Sequence, residues 1–271
     1  MPRFRGAILS IEFVDLYAGY RRGDYVLKGI NVRINNNTII LGPNGSGKTT
    51  LMRVVLGITV SKKGKILIDG LDVDSVRGLP GLVAANLPEI VVSSRLPVKH
   101  VASYYLDILG GDYEYFRDLV GRLGGAEVLE KRLHELSAGL RKIVLNAIAL
   151  ATKAKYVLLD EPFENLDPAR RVAMLKEILG VRGIKVMDTH VTWLLKALPD
   201  WDTYLMVEGS IYGPLKPGEL EELKVSRELV RDVRITIKLK TGDVYLSKLS
   251  GTPLTSLESL DKLYEVLAWR Y

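Results

Sequence analysis

Apolar positions along the chain alternate with polar ones in some short stretches and recur at about every third or fourth residue in others, and the two kinds of stretch take turns. Strand spacing marks residues 8 to 16 and 26 to 41. In the second of these, Ile30, Val32 and Ile34 alternate with polar neighbours, Asn35, Asn36 and Asn37 make a turn, and Ile39, Ile40 and Leu41 form a compact buried run. The run stops at Gly42, and Leu51, Val54, Val55 and Leu56 then fall at helical spacing between Thr49 and Gly57. Residues 65 to 69 predict a strand closed by Gly70, and 112 to 136 a helical stretch interrupted by glycine. A helix over 140 to 152 precedes a strand at 156 to 159 that is too apolar for a surface. Helix 168 to 179, strand 184 to 187, helix 191 to 198 and strand 203 to 207 follow. Such alternation predicts an α/β fold whose parallel sheet is covered on both faces.

After Glu222 the pattern changes. Val233, Ile235, Ile237 and Leu239 alternate, Thr241 and Gly242 turn the chain, and Val244 to Leu246 returns, which predicts a hairpin. Thr255 with Glu258 three residues on is a capping-box pair for a helix with Leu257, Leu260, Tyr264 and Leu267 on one face. Residues 225 to 271 thus read as a small α+β appendage.

Composition narrows the classes. The 271 residues suffice for one large domain with an appendage, and 47% hydrophobic with 26% charged residues is the balance of a globular protein. The net charge of +6 is mild and its residues are interspersed, so no nucleic-acid partner is expected. The absence of cysteine removes disulfides, thiol catalysis and thiolate metal sites. The opening segment MPRFRGAILSIEF lacks a signal-peptide apolar core, and no run of 18 apolar residues occurs. The expectation is a chain that does not span a membrane itself.

The strongest chemical signal is Gly42-Pro43-Asn44-Gly45-Ser46-Gly47-Lys48-Thr49, a GxxxxGK[ST] run between a predicted strand and a predicted helix. Glycines let the backbone wrap closely enough for N–H groups to face phosphate oxygens, and the helix N-terminus adds positive potential. Lys48 supplies a mobile cation for β and γ phosphates, and the Thr49 hydroxyl suits magnesium. The second signal is the apolar strand Tyr156 to Leu159 ending in Asp160-Glu161-Pro162. Carboxylates at such a strand end are costly unless a cation meets them. Asp160 is the candidate magnesium ligand, and Glu161 the candidate base for an attacking water. The expected cofactors are ATP and Mg2+.

These residues and their order resemble the ATP-binding cassette (ABC) family over about residues 8 to 222. Leu136-Ser137-Ala138-Gly139-Leu140 stands where that family carries LSGGQ, Glu164-Asn165-Leu166-Asp167 where it carries its D-loop, and His190 at its switch histidine. The resemblance implies a P-loop NTPase (RecA-like) core with a mixed sheet, an antiparallel β subdomain and an inserted helical subdomain at about 87 to 150, together making a nucleotide-binding domain at 1 to 224. It assigns nucleotide contacts to residues 42 to 49 and to Thr50, and adenine stacking to Tyr20, with Tyr17 and Tyr25 as alternatives. Ser137 and Gly139 would reach the γ-phosphate held by a second subunit, His190 would hold γ-phosphate and water in line, and Asp167 would help join the two sites. Three positions depart from the pattern: Asn86 falls where the family's magnesium-contacting glutamine stands, Ala138 replaces the first glycine of the signature, and Leu140 its glutamine.

The function this resemblance implies is ATP hydrolysis by a cytoplasmic subunit at the inner face of the cell membrane. It would form a homodimer, or a heterodimer with another such ATPase, around two ATP and drive a separate transmembrane permease. The segment LPVKHVASYYLDILG at 96 to 110 looks like the start of the helical part on which such partners dock, and the loop and ENLDP sequences look closest to the efflux branch. The alternative is a soluble ATPase acting as an ATP-switched regulatory or assembly factor with 225 to 271 as its interaction module.

Overall fold

Strand β1 (Ile11–Gly19) forms where apolar residues alternate, but its inward set changes parity: Ile11 and Phe13 are buried at one end, Leu16 and Ala18 at the other. A bulge between Phe13 and Leu16 supplies the extra residue, with Asp15 at φ 46°. This carries the strand to Gly19, three residues beyond the sequence expectation. Its partner β2 (Leu27–Ile34) runs antiparallel beside it. Strand β3 (Thr38–Leu41) is buried throughout and delivers the chain into the glycine loop, after which helix α1 (Lys48–Val55) begins. Strand β4 (Ser61–Ile68) starts earlier than its apolar residues suggest, because pairing with β1 extends it through Lys62 and Lys63. The short β5 (Leu71–Asp72) completes an antiparallel sheet of order β2-β1-β4-β5, and α2 (Val73–Val76) follows.

The structure, a computed structural model, describes residues 9 to 59, 61 to 91, 95 to 239 and 241 to 254. The chain divides into two compact units, Met1–Arg77 with Asp188–Tyr271, and Gly78–Met187. The second unit opens on β6 (Val83–Ala85) and continues through α3 (Val98–Leu109) and α4 (Tyr113–Gly124). The stretch expected as one interrupted helix is therefore shorter. Asp112 caps α4 by accepting from the Tyr115 N–H at 3.0 Å, Gly125 at φ 93° ends it, and two 3₁₀ turns lead on to Leu136. Helix α5 (Ala138–Ala151) is buried from Ile143 to Ala151, an apolar rod with one polar residue, Asn146, in that span. Then come β7 (Tyr156–Asp160), parallel to β6, α6 (Pro168–Gly180) and β8 (Ile184–Thr189), which returns the chain to the first unit.

After α7 (Trp193–Ala197), strand β9 (Asp202–Val207) lies parallel to β3, pairing Ile39 with Thr203 and Leu41 with Leu205. Strand β10 (Ser210–Leu215) turns back antiparallel to β9, so parallel and antiparallel pairs coexist in this mixed α/β fold. Helix α8 (Pro217–Glu222) leads to β11 (Lys224–Ser226), β12 (Val233–Leu239), β13 (Gly242–Ser247) and β14 (Thr252–Pro253). The expected hairpin is β12 with β13, and β11 and β14 extend it to an antiparallel sheet of order β12-β13-β11-β14. The helix expected from Thr255 onward lies outside the described residues.

Candidate functional site

The sequence-predicted residues fall into two groups, one in each compact unit. In the first unit, Gly42 follows β3 directly, and its N–H donates to the Thr189 carbonyl at 3.0 Å. A Cβ at Gly42 would collide with the Met206 carbonyl, so glycine is required there by close approach. Gly45 and Gly47 take φ of 78° and 110°, conformations that turn the loop over the start of α1. The Ser46 N–H donates to the Pro43 carbonyl at 3.2 Å, while the buried Ser46 hydroxyl has no hydrogen-bond partner among the described residues. Lys48 is 6% exposed, and its ammonium donates to the Gly42 and Pro43 carbonyls at 2.7 and 3.2 Å. The cation is thus folded back over its own loop. A buried hydroxyl without a partner and a buried ammonium held by loop carbonyls suit a phosphate chain, which accepts from both.

Sequence reasoning missed the support under this loop. The Gly209 N–H, in the turn from β9 to β10, donates to the Ser46 carbonyl at 2.8 Å, and the Gly209 carbonyl accepts from the Lys28 backbone N–H at 2.9 Å. Gly209 sits at φ 83°, and a Cβ there would overlap the Val26 carbonyl. Gly209→Ala is therefore expected to lower stability by about 1 to 3 kcal/mol, read as a fall in melting temperature. An unchanged melting temperature would show that the turn adjusts freely. The only sequence signal was an EGS turn between two apolar strands.

The three candidate tyrosines separate clearly. Tyr17 and Tyr25 pack on one another edge to face, ring centroids 5.6 Å apart. Tyr20 lies over α1 instead: its hydroxyl is 3.1 Å from the Thr50 hydroxyl and accepts from Arg53 at 2.8 Å, and the Arg53 guanidinium lies 5.8 Å from its ring centroid. Tyr20 is 41% exposed. His190 follows Thr189, whose carbonyl holds Gly42, and is half-buried.

In the second unit, β7 ends at Asp160, and Glu161 takes φ 42°, a left-handed conformation unusual for a residue other than glycine. The Asn86 amide, 1% exposed, is committed to protein groups. Its carbonyl accepts from the Asp160 N–H at 2.6 Å, and its Nδ2 donates to Asn146 Oδ1 at 2.7 Å and to the Asp160 carbonyl at 3.1 Å. The Ser137 hydroxyl caps α5 by accepting from the Leu140 N–H at 3.3 Å, and Ser137 and Ala138 are exposed. A Cβ on Gly139 would come within 2.5 Å of the Asn165 carbonyl, so glycine is needed where α5 meets the ENLD turn. Asp167 caps α6, accepting from the Arg170 N–H at 3.0 Å, with Pro168 at the first helical position.

For magnesium the donor chemistry fits. Among the described residues no group of three or more His, Asp or Glu gathers to hold a metal by itself. A hard cation held by one or two protein oxygens, with phosphate and water completing its shell, is how magnesium binds nucleotides. Thr49 and Asp160 are oxygen donors of that kind.

A buried apolar strand, a glycine loop with an inward ammonium, and a helix opening on Lys48 define a P-loop nucleoside triphosphatase. Residues 27–164 match the family model described as ABC transporter. A protein of Pyrococcus abyssi, provisionally named an ABC transporter ATP-binding protein, is 33% identical over 84% of this chain and 98% of its own length. The energy-coupling factor transporter ATP-binding protein EcfA of Methanocaldococcus jannaschii is 33% identical over 84% of this chain and 85% of its own length. A crystal structure of a protein provisionally assigned as a cobalt transport ATP-binding protein superposes with a TM-score of 0.83 at 30% identity, covering 94% of this chain and 99% of that one. The chain belongs to the ABC transporter family as an ATP-binding subunit, and it is an ATPase. Among the described residues no helix is long and apolar enough to cross a membrane.

Proposed function

We propose that the chain is the motor of a membrane transporter, dimerising around two ATP on the cytoplasmic face of the membrane and driving a separate permease. The observation that carries the nucleotide part is the Lys48 loop, with its buried ammonium and a Ser46 hydroxyl that has no partner among the described residues. Lys48 and the loop N–H groups grip the β and γ phosphates, and the exposed Tyr20 stacks on adenine. Thr49 and Asp160 hold magnesium, which supplies charge neutralisation on the phosphates. Glu161 takes a proton from the attacking water, and His190 orients that water against the γ-phosphate. Asn86 acts on this site through the Asp160 backbone that its amide holds.

The exposed Ser137 and Ala138, at the start of α5, support a dimer in which Ser137 and Gly139 meet the nucleotide of a second copy or of a homologue. The permease is supported by family membership and by relatives named as transporter ATP-binding subunits. The cobalt transport neighbour makes a divalent metal ion the first cargo to assay. Tagged chain extracted from its own cells in mild detergent is expected to bring down an integral membrane protein, identified by mass spectrometry. Its consistent absence would favour a soluble regulatory ATPase.

A further inference from the structure

Glu161 stands at φ 42° and is followed by proline, which biases the preceding residue toward extended backbone. A left-handed residue in that position persists only where its neighbours hold it. Here the peptide groups on both sides are held by buried amides. Before Glu161, the Asp160 N–H donates to Asn86 Oδ1 at 2.6 Å, and the Asp160 carbonyl accepts from Asn86 Nδ2 at 3.1 Å and from Lys142 Nζ at 3.0 Å. After it, the Pro162 carbonyl accepts from Asn146 Nδ2 at 2.7 Å. The two asparagines are themselves joined, Asn86 Nδ2 to Asn146 Oδ1 at 2.7 Å, and are 1% and 0% exposed. Asn86 is anchored in turn by its own N–H, which donates to the Leu158 carbonyl at 3.2 Å and carries the β6–β7 ladder one residue further.

We infer that Asn146 is a positioning residue for hydrolysis, acting through the Pro162 carbonyl and Asn86 to hold the Glu161 backbone and so aim its carboxylate. A buried amide within the apolar span of α5 is costly unless each of its groups is bonded; Asn146 donates to the Pro162 carbonyl on the turn that carries Glu161 and accepts from Asn86, whose amide holds the Asp160 backbone on the other side of that turn. An aliphatic side chain at this position would fill the same space without that cost, so packing does not explain the amide. Because Ser137 caps α5, the pair also ties the helix bearing the signature sequence to the base. The inference deepens the assignment of Glu161 and rests on it.

The test is steady-state ATP hydrolysis and nucleotide binding by the full chain carrying Asn146→Leu, which keeps the volume and removes the amide. With Glu161 misplaced, kcat is expected to fall roughly tenfold or more while KM and nucleotide affinity stay as in the parent. In a Glu161→Gln background the same substitution should change the residual rate no further, since no base is left to misplace. An unchanged kcat in a folded Asn146→Leu protein overturns the inference. So does an equal proportional loss with and without Glu161, which would mark a general packing role. If Asn146→Leu does not fold, Asn146→Ser, too short to reach the Pro162 carbonyl, is judged by the same criteria. A parental rate in Glu161→Gln alone would overturn the base assignment instead, which separates the two failures.

Discussion

Glu161→Gln is expected to lower ATP turnover by about 10²- to 10⁴-fold while leaving ATP binding intact, the range associated with loss of a general base. Glutamine keeps the size of the side chain and its ability to accept a hydrogen bond from water, but it cannot take the proton. The clamp on this turn is untouched by the substitution, because the bonds that Asn86, Asn146 and Lys142 make to it end on backbone atoms of Asp160 and Pro162, not on the Glu161 side chain. The variant should therefore fold with the turn in place and accumulate the nucleotide-bound state. On the proposed function, size-exclusion chromatography with ATP should show more dimer for the variant than for the parent. Turnover at the parental rate would remove Glu161 from the mechanism.

Lys48→Ala is expected to weaken triphosphate binding by roughly 10- to 100-fold or more, since each charge-assisted hydrogen bond contributes about 1.5 to 3 kcal/mol. The Lys48 ammonium is held by the Gly42 and Pro43 carbonyls at 2.7 and 3.2 Å, which keeps the cation inside the loop before any ligand arrives. Part of its ordering is thus complete in the free protein, and on the proposed binding mode phosphate oxygens would take over from the carbonyls. Lys48→Arg keeps the charge but puts a wide planar group into a narrow loop, and it should recover little of the lost affinity. Titration with a fluorescent ATP analogue reads both variants. ATP affinity in Lys48→Ala equal to the parent would mean that the loop binds by its backbone alone.

Much of the fold was legible along the chain because its signals are local. Ile39 to Leu41 with the following glycine, and Tyr156 to Leu159 with the following carboxylates, mark buried strands by composition alone, and both strands are present as β3 and β7. The misplaced boundaries have a common cause. β4 reaches through Lys62 and Lys63 because β1 pairs with it there, and β1 reaches Gly19 because a bulge resets its parity, and both are partner effects that no single segment displays. A cargo and its direction were not legible for a different reason: the motifs of this chain are those for ATP, which ATP-binding subunits of the family share.

Tertiary structure also decided the support of the candidate site. Gly209 and Ser46 are 163 positions apart by their numbers in the chain, and only the turn beside β9 brings them within a hydrogen bond. In sequence, Asn146 was merely one polar residue in an apolar helix, and Asn86 a shortened glutamine; folding joined them around the Glu161 turn. The sequence by itself determined the candidate chemistry, because phosphate binding needs particular residue types at fixed short spacing, as in Gly42 to Thr49 and in Asp160 beside Glu161. Folding alone decided how those groups are held, because a hydrogen bond across tens of residues depends on where two strands or helices meet, and neither segment carries that information alone.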